Sequence, residues 1–308
     1  MPANLEDDLL LITAASGKQA AGLLPHLHEW SHLRLQVNSQ DSADRMSKAY
    51  PEAEIVQANL ASQADCARIM VGVATCYLIT PSFHPHEAEC GYHIIDAARS
   101  QFKTGVFKHL VHSSVLHPSI RKLMNHDNKR YVEEYLIESG LPYTILQPTH
   151  LMETLDVKRL MTAEKAVHRM LWSSKTMFSF VSTRDAGEAA AKVLREREKH
   201  LYATYELVST ATPLCYDEVR VILSEELGKE VSLERVSVEE GAEMFAKMIT
   251  KGQIEGAEFE NRQGPARLFL YYNQKGLIGN SNVLEMLLGR KPLGYREWVR
   301  VHVAEVKV

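Results

Sequence analysis

Fourteen histidines stand in this 308-residue chain, and six of them, His84, His86, His112, His117, His126 and His150, follow or end short apolar runs. Imidazole changes charge near neutral pH, so histidines brought to one cleft could donate and accept protons. His126 and His150 are the sharpest choices: His126 lies one helical step from Lys129, and His150 follows Gln147-Pro148-Thr149. For any single histidine, a loop position with solvent or backbone partners is the commoner outcome. The stretch Phe83-His84-Pro85-His86-Glu87-Ala88-Glu89-Cys90 mixes soft and hard metal ligands but has no second ligand pair, so a solvated loop and no metal are expected. Ser113 and Ser114 end another apolar run; without a Gly-x-Ser-x-Gly elbow they suit hydrogen bonding better than nucleophilic attack.

These residues sit in a regular alternation. Short apolar runs at Leu9 to Ala14, Leu33 to Val37, Glu54 to Gln57, Ala74 to Thr80, Phe107 to Ser113 and Tyr143 to Gln147 alternate with longer amphipathic stretches. That pattern predicts parallel βαβ units, and right-handed crossovers make the simplest arrangement an α/β, Rossmann-like doubly wound sheet. Its strand ends near Ala14, Asn38, Ala58, Thr80, Ser113 and Pro148 would then converge on one cleft. Arg130 to Ser139 reads as a helix stopped by Gly140 and Pro142. Residues 1-150 are expected to form this nucleotide-type domain. Residues 151-308 would form a smaller α/β lobe, partly interleaved with the first, with helical stretches at Glu153 to Leu171 and Thr183 to Glu198. A strand near Tyr205 to Val208 and a helix from Tyr216 to Leu227 ended by Gly228 follow. Arg195 to Lys199 reads as a water-facing helix end, and Val283 to Leu288 with Trp298 suits a pocket wall or a homodimer contact.

The first strand runs into Thr13-Ala14-Ala15-Ser16-Gly17-Lys18-Gln19-Ala20. A strand-turn-helix here is where a dinucleotide pyrophosphate rests on a helix N-terminus, and three glycines usually shape the turn. In this chain their places hold Ala14, Gly17 and Ala20. Alanine at the first place costs about 1 to 2 kcal/mol if left-handed backbone is required there. Lys18 suits a phosphate or solvent equally well.

The turn resembles that of the NmrA-like family of atypical short-chain dehydrogenase/reductases, roughly T-G-A-T-G-x-Q-G, through Thr13, Ala15, Gly17 and Gln19. The likeness continues through Leu78 to Pro81, His109 to Val115, Val132 to Leu136, Ser139 to Pro148 and the helix Ala186 to Leu194. It implies a cofactor, NADP or NAD, held by Thr13, Ala15, Ser16, Gly17, Lys18, Gln19, Asn38, Ser39, Asn59, Leu60, Thr80, Pro81, Lys129 and Pro148. It implies catalysis involving Lys129 and Ser113, to which the placement of the histidines adds His126 and His150. Three departures stand out. Asn38-Ser39-Gln40 replaces the Arg or acid that reads the ribose, with Asp41 and Arg45 displaced; Ala58-Asn59 replaces Gly-Asp; and Asn125 stands where Tyr-x-x-x-Lys needs its tyrosine. Weak or absent dinucleotide binding, without strong NADP preference, is therefore the expectation.

With 35 basic against 39 acidic residues and no basic block, nucleic acid and membrane surfaces are not expected partners. Four irregularly spaced cysteines, no signal-like start and no long apolar run point to the cytoplasm. Three functions fit: an NAD(P)(H)-linked reductase of a small carbonyl metabolite, such as a polyketide; a cofactor-independent isomerase, cyclase or dehydratase; or a dinucleotide-sensing regulator with a protein partner.

Overall fold

The computed structural model describes residues 3–249 and 258–307. Strand β1 (Leu10–Ile12), β2 (Leu33–Val37), β3 (Glu54–Gln57), β4 (Thr75–Ile79), β5 (His109–Ser113) and β6 (Tyr143–Pro148) alternate with helices. These are α1 (Lys18–Leu23), α2 (Gln40–Ala49), α3 (Gln63–Met70), α4 (Glu87–Lys103) and α5 (Met124–Glu138). The chain continues as β7 (His150–Leu151), α6 (Val157–Thr162), β8 (Ala166–Met170), β9 (Phe180–Val181), α7 (Thr183–Arg195) and β10 (Ala203–Leu207). It closes with α8 (Tyr216–Leu227), β11 (Val231–Arg235), α9 (Val238–Ile249), α10 (Glu258–Tyr272), α11 (Asn282–Leu288) and α12 (Tyr295–Lys307).

The main sheet has the order β10-β6-β5-β4-β1-β2-β3 and is parallel throughout. Strand order reverses between β1 and β4, so the crevice beyond their C-terminal ends is the natural ligand position. Side chains alternate across the sheet. Leu10 and Ile12 pack on one face with Leu23 of α1 and Val193 of α7, whereas Leu11 packs on the other with Ile94 of α4 and Leu136 of α5. A third apolar cluster, including Phe178, Tyr216 and Trp298, is the core of the C-terminal lobe. The seventh strand, β10, and helix α7 return from this later part of the chain to the sheet.

Several local expectations change. The span Glu153 to Leu171 is not one helix: α6 is short and β8 pairs in parallel with β11, because alternate residues of 166–170 pack on the lobe core. Arg197 is not a water-facing residue; it is buried and paired with Asp8. Trp298, Leu284 and Leu287 are buried in the two cores, whereas Met286 is 64% exposed, and none of the four lines the cavity described below.

Helix α1 crosses α7 with backbone against backbone. A Cβ on Gly22 would lie 2.1 Å from the Thr183 carbonyl oxygen, and one on Gly187 would lie 2.0 Å from that of Gly22. At the other end of the sheet, Asp8 takes ion pairs from Lys108 and Arg197. Burial pushes its carboxyl up, but the two cations outweigh burial and hold it below the usual value of 3.8.

Gly187→Ala should therefore lower stability by about 1–3 kcal/mol in denaturant titration, since the methyl group meets backbone that cannot yield. Asp8→Asn should cost about 3–5 kcal/mol by leaving buried Arg197 without its counter-charge. The wild-type contribution of Asp8 is present above pH 3.8 and is lost as pH falls through the lower folded value, so the variant's deficit should shrink on acidification.

Candidate functional site

The turn after β1 holds its shape without its first glycine. Ala14 has φ 47°, in the left-handed region, and its N–H donates to Gln36 Oε1 at 2.7 Å. Gln36 Nε2 in turn donates to the Ala58 carbonyl at 2.7 Å, so one buried side chain ties together the ends of β1, β2 and β3. Thr13 Oγ1 does the same between β1 and β4, donating to the Ile79 carbonyl at 2.8 Å and accepting its N–H at 2.7 Å. Ser16, Gly17 and Lys18 are exposed, and Gly17 caps α1 without a side-chain hydrogen bond. The Gly17 N–H donates to the Ala14 carbonyl at 3.0 Å, so the N–H groups without an intrahelical partner are those of the first turn of α1, which begins at exposed Lys18.

The neighbouring strand ends carry the other nucleotide candidates. Ser39 is the N-cap of α2, with Asn38 exposed beside it, and Arg45 Nη2 donates to Ser42 Oγ at 3.1 Å. Asn59 Oδ1 accepts the Ala61 N–H at 3.0 Å. Leu60 is buried, and its carbonyl accepts from the Cys66 thiol. Pro81 is half-buried after β4, and the buried Pro148 accepts the Leu116 N–H at 2.9 Å. Lys18 Nζ reaches across to the Glu153 carbonyl at 2.7 Å, and Ser113 Oγ donates to Gln19 Oε1.

Lys129 lies under the end of β4. Its ammonium donates to Thr80 Oγ1 and pairs with Glu87 Oε1 at 3.1 Å, the side chains being 4% and 0% exposed. Glu87 Oε2 accepts the Phe83 N–H at 3.0 Å, which holds Phe83 at φ 64°. One turn further along α5, Glu133 accepts from Gln147 Nε2 at 2.9 Å, and burial pushes its carboxyl up. His126 Nδ1 is 3.1 Å from the His117 carbonyl, and His126 does not line the cavity. Among the described residues, no group of three or more His, Cys, Asp or Glu is placed to hold a metal.

A cavity of about 460 Å³ opens beside this cleft, between Lys18, Asn125 and the C-terminal lobe. Its walls include Phe83, Leu151, Met170, Trp172, Tyr216, Leu268 and Tyr272. His150 enters it with Nε2 3.0 Å from Tyr216 Oη and its ring edge-on to Trp172 and Phe180. His168 stacks on Tyr216 at 5.5 Å. Burial lowers both imidazoles to about 4, helped at His150 by His168 and at His168 by Arg159, so both are neutral at pH 7. Burial likewise raises the Tyr216 phenol. The cavity thus brings His150 together with Lys18, while Lys129, His126 and Ser113 remain outside its wall. Tyr216, His168, Trp172 and Tyr272 carried no local signal, because they come from separate segments that only the folded lobe brings together. Glu87 was legible only as part of a histidine-rich loop.

Ala14→Gly should leave stability unchanged or raise it by about 0.5 kcal/mol, because relief of left-handed strain offsets glycine's greater freedom when unfolded. Lys129→Met should cost about 3–5 kcal/mol by stranding the buried Glu87 carboxylate, and a further Glu87→Met change should recover much of that loss. Burial lowers His109 and His112 to about 3, and His126 to about 4 like His150 and His168. The unfolded chain takes up these protons near pH 6.5 and the folded chain does not. Stability should therefore fall between pH 6.5 and 4, by up to about 1.4 kcal/mol per pH unit for each histidine, as urea midpoints would register.

Several solved structures share this architecture from end to end. The NADPH-dependent quinone oxidoreductase QOR2 of Escherichia coli, complexed with NADPH, superposes with a TM-score of 0.72 at 22% identity, covering 96% of this chain and 100% of that one. Triphenylmethane reductase of Citrobacter sp., complexed with NADP(H), gives 0.71 at 21%, covering 95% and 99%. NmrA, a negative transcriptional regulator in complex with NADP, gives 0.73 at 18%, covering 98% and 97%. At such identities the likeness speaks for the fold. No curated protein sequence matches the chain. The sequence profile of the NmrA-like family matches residues 6–267, spanning the turn, the cleft and most of the lobe, and the chain belongs to that family.

Proposed function

We propose that this chain is an NAD(P)(H)-linked oxidoreductase whose small carbonyl substrate occupies the aromatic cavity. One juxtaposition carries the reading: Lys18 from the nucleotide turn and Asn125, where Tyr-x-x-x-Lys enzymes place their phenol, line the same substrate-sized cavity as His150 and Tyr216. The exposed turn Ser16 to Lys18 at the head of α1 suits a pyrophosphate, and Asn38, Ser39 and Arg45 suit the adenosine ribose. Bound there, the reduced dinucleotide would supply a hydride. Lys129 does not serve the ribose at the other end, since Glu87 and Thr80 hold it. With Nε2 protonated, His150 donates to Tyr216 Oη, leaving the phenol hydrogen for a carbonyl oxygen. Aromatic walls favour flat ring systems, in keeping with a carbonyl metabolite of the polyketide kind.

A second reading, a dinucleotide-binding regulator with a protein partner, is favoured by the buried Lys129–Glu87 pair and the absent tyrosine. Calorimetric titration with the four nicotinamide forms, followed by turnover on a carbonyl panel, separates the two. The oxidoreductase reading expects binding with less than about tenfold preference for NADP over NAD, abolished by Arg45→Ala, and turnover that His150→Phe reduces without changing dinucleotide affinity. Intact binding with no turnover of any carbonyl would sink it in favour of the regulator.

A further inference from the structure

After β4 the chain turns sharply. The His84 N–H donates to the Pro81 carbonyl at 3.1 Å, which puts Phe83 at the third place of a four-residue turn. Phe83 has φ 64° there, a conformation that turns ordinarily leave to glycine or asparagine. For a bulky aromatic residue it is an outlier, and such strain persists only where the surroundings over-determine it. Glu87, fully buried at the start of α4, does so. Its Oε2 accepts the Phe83 N–H at 3.0 Å, while its Oε1 takes Thr80 Oγ1 at 3.0 Å and Lys129 Nζ at 3.1 Å. A hydrogen bond to a buried carboxylate outweighs the left-handed penalty. Both oxygens of Glu87 are engaged, so the turn cannot relax without leaving one of them short of a donor.

The ring placed by this arrangement belongs to the cavity wall. Among the described lining residues, Lys18, Phe83 and Asn125 precede residue 148, and Phe83 is the apolar one of the three. It rests on α10 where Gly264 presents no side chain: a Cβ there would stand 3.4 Å from Phe83 Cδ1. An aromatic ring held in strained backbone at a cavity wall points to a task for the ring in that cavity.

We propose that Phe83 sets the width of the aromatic ring system that the cavity takes, and that Glu87, with Lys129 behind it, is the positioning residue that keeps the ring in the wall. Lys129 then shapes the substrate site through a carboxylate and does not touch the dinucleotide. The inference rests on the reading of the cavity as the substrate site, and it does not depend on hydride transfer.

The full chain is titrated, with and without saturating NADP⁺, with two flat ketones of different width, an acetylnaphthalene and an acetylpyrene. Phe83→Ala should shift the ratio of the two affinities about tenfold toward the acetylpyrene, because loss of the ring removes contact from the narrow probe and opens space for the wide one. The double change Glu87→Met with Lys129→Met removes the acceptor without stranding a charge, and it should shift the ratio the same way. Glu87→Gln in the Lys129→Met background should restore it, since an amide oxygen again accepts the Phe83 N–H; a merely structural role would move both affinities together. In the wild-type chain the Phe83 amide should be protected from hydrogen exchange. An unchanged ratio in Phe83→Ala would overturn the proposal and leave the cavity reading intact. A ratio moved by Phe83→Ala but not by the double change, or a rapidly exchanging Phe83 amide in the wild-type chain, would overturn the positioning role of Glu87. Failure of both ketones to bind the wild-type chain would overturn the cavity reading and this proposal with it.

Discussion

The contact between α1 and α7 sets the geometry on which the rest of the site depends. Gly22 and Gly187 meet with no room for a methyl group on either, so these two helices are held at a backbone-to-backbone distance. Helix α1 has only six residues, so fixing it also fixes the turn Ala14 to Gln19 at its head. From there Lys18 and Gln19 reach Glu153 and Ser113. At the start of α7 the buried Asp185 accepts from Ser209 Oγ at 2.9 Å, the Leu293 N–H at 2.7 Å and Arg290 at 2.9 Å. The same helix therefore positions the nucleotide turn and holds the lobe that closes the cavity.

Charge is distributed unevenly across this frame. Under the cleft, Lys129, Glu87 and Thr80 form a dry, paired cluster whose members answer one another. Such a pair adds little net stability over an apolar isostere, but removal of one partner is costly, so the cluster is fixed rather than available. The cavity beside it has neutral imidazoles, high-pKa phenols and aromatic faces. With Asn125 four residues before it, Lys129 has its charge compensated within the protein, while the polar groups His150, His168 and Tyr216 of the cavity lie beyond residue 148.

Much of this frame was legible in the sequence. The runs Leu33 to Val37 and Phe107 to Ser113 contain the strands 33–37 and 109–113, whose side chains alternate between two helix-covered faces. Gly140 and Gly228 marked helix ends because each takes positive φ, 76° and 66°. Residues 166–170 misled because a short amphipathic run reads equally as helix or strand until its partner β11, some sixty residues on, is known. Asp8 and Arg197 could not be matched for the same reason: the pair is non-local. At the site, the residues that depend on local backbone were visible, whereas those that depend on the lobe's packing were not. Gly17, Ser39 and His150 belong to the first kind, and Trp172, Tyr216 and Tyr272 to the second.

The degenerate glycine motif shows how much of a turn's shape belongs to its surroundings. Alanine in left-handed backbone is disfavoured by about 1 to 2 kcal/mol, yet Ala14 adopts it. The compensation comes from hydrogen bonds that exist only in that conformation: Gln36 receives the Ala14 N–H through its side chain and the Ala15 N–H through its backbone at 2.9 Å, while its amide group is oriented by Ala58. A buried amide with both ends satisfied is costly to displace, since any other turn would orphan it. The constraint that glycine ordinarily relaxes at this position is here overruled by a neighbouring strand, so the missing glycine is evidence about how the turn is held and not about whether the turn survives.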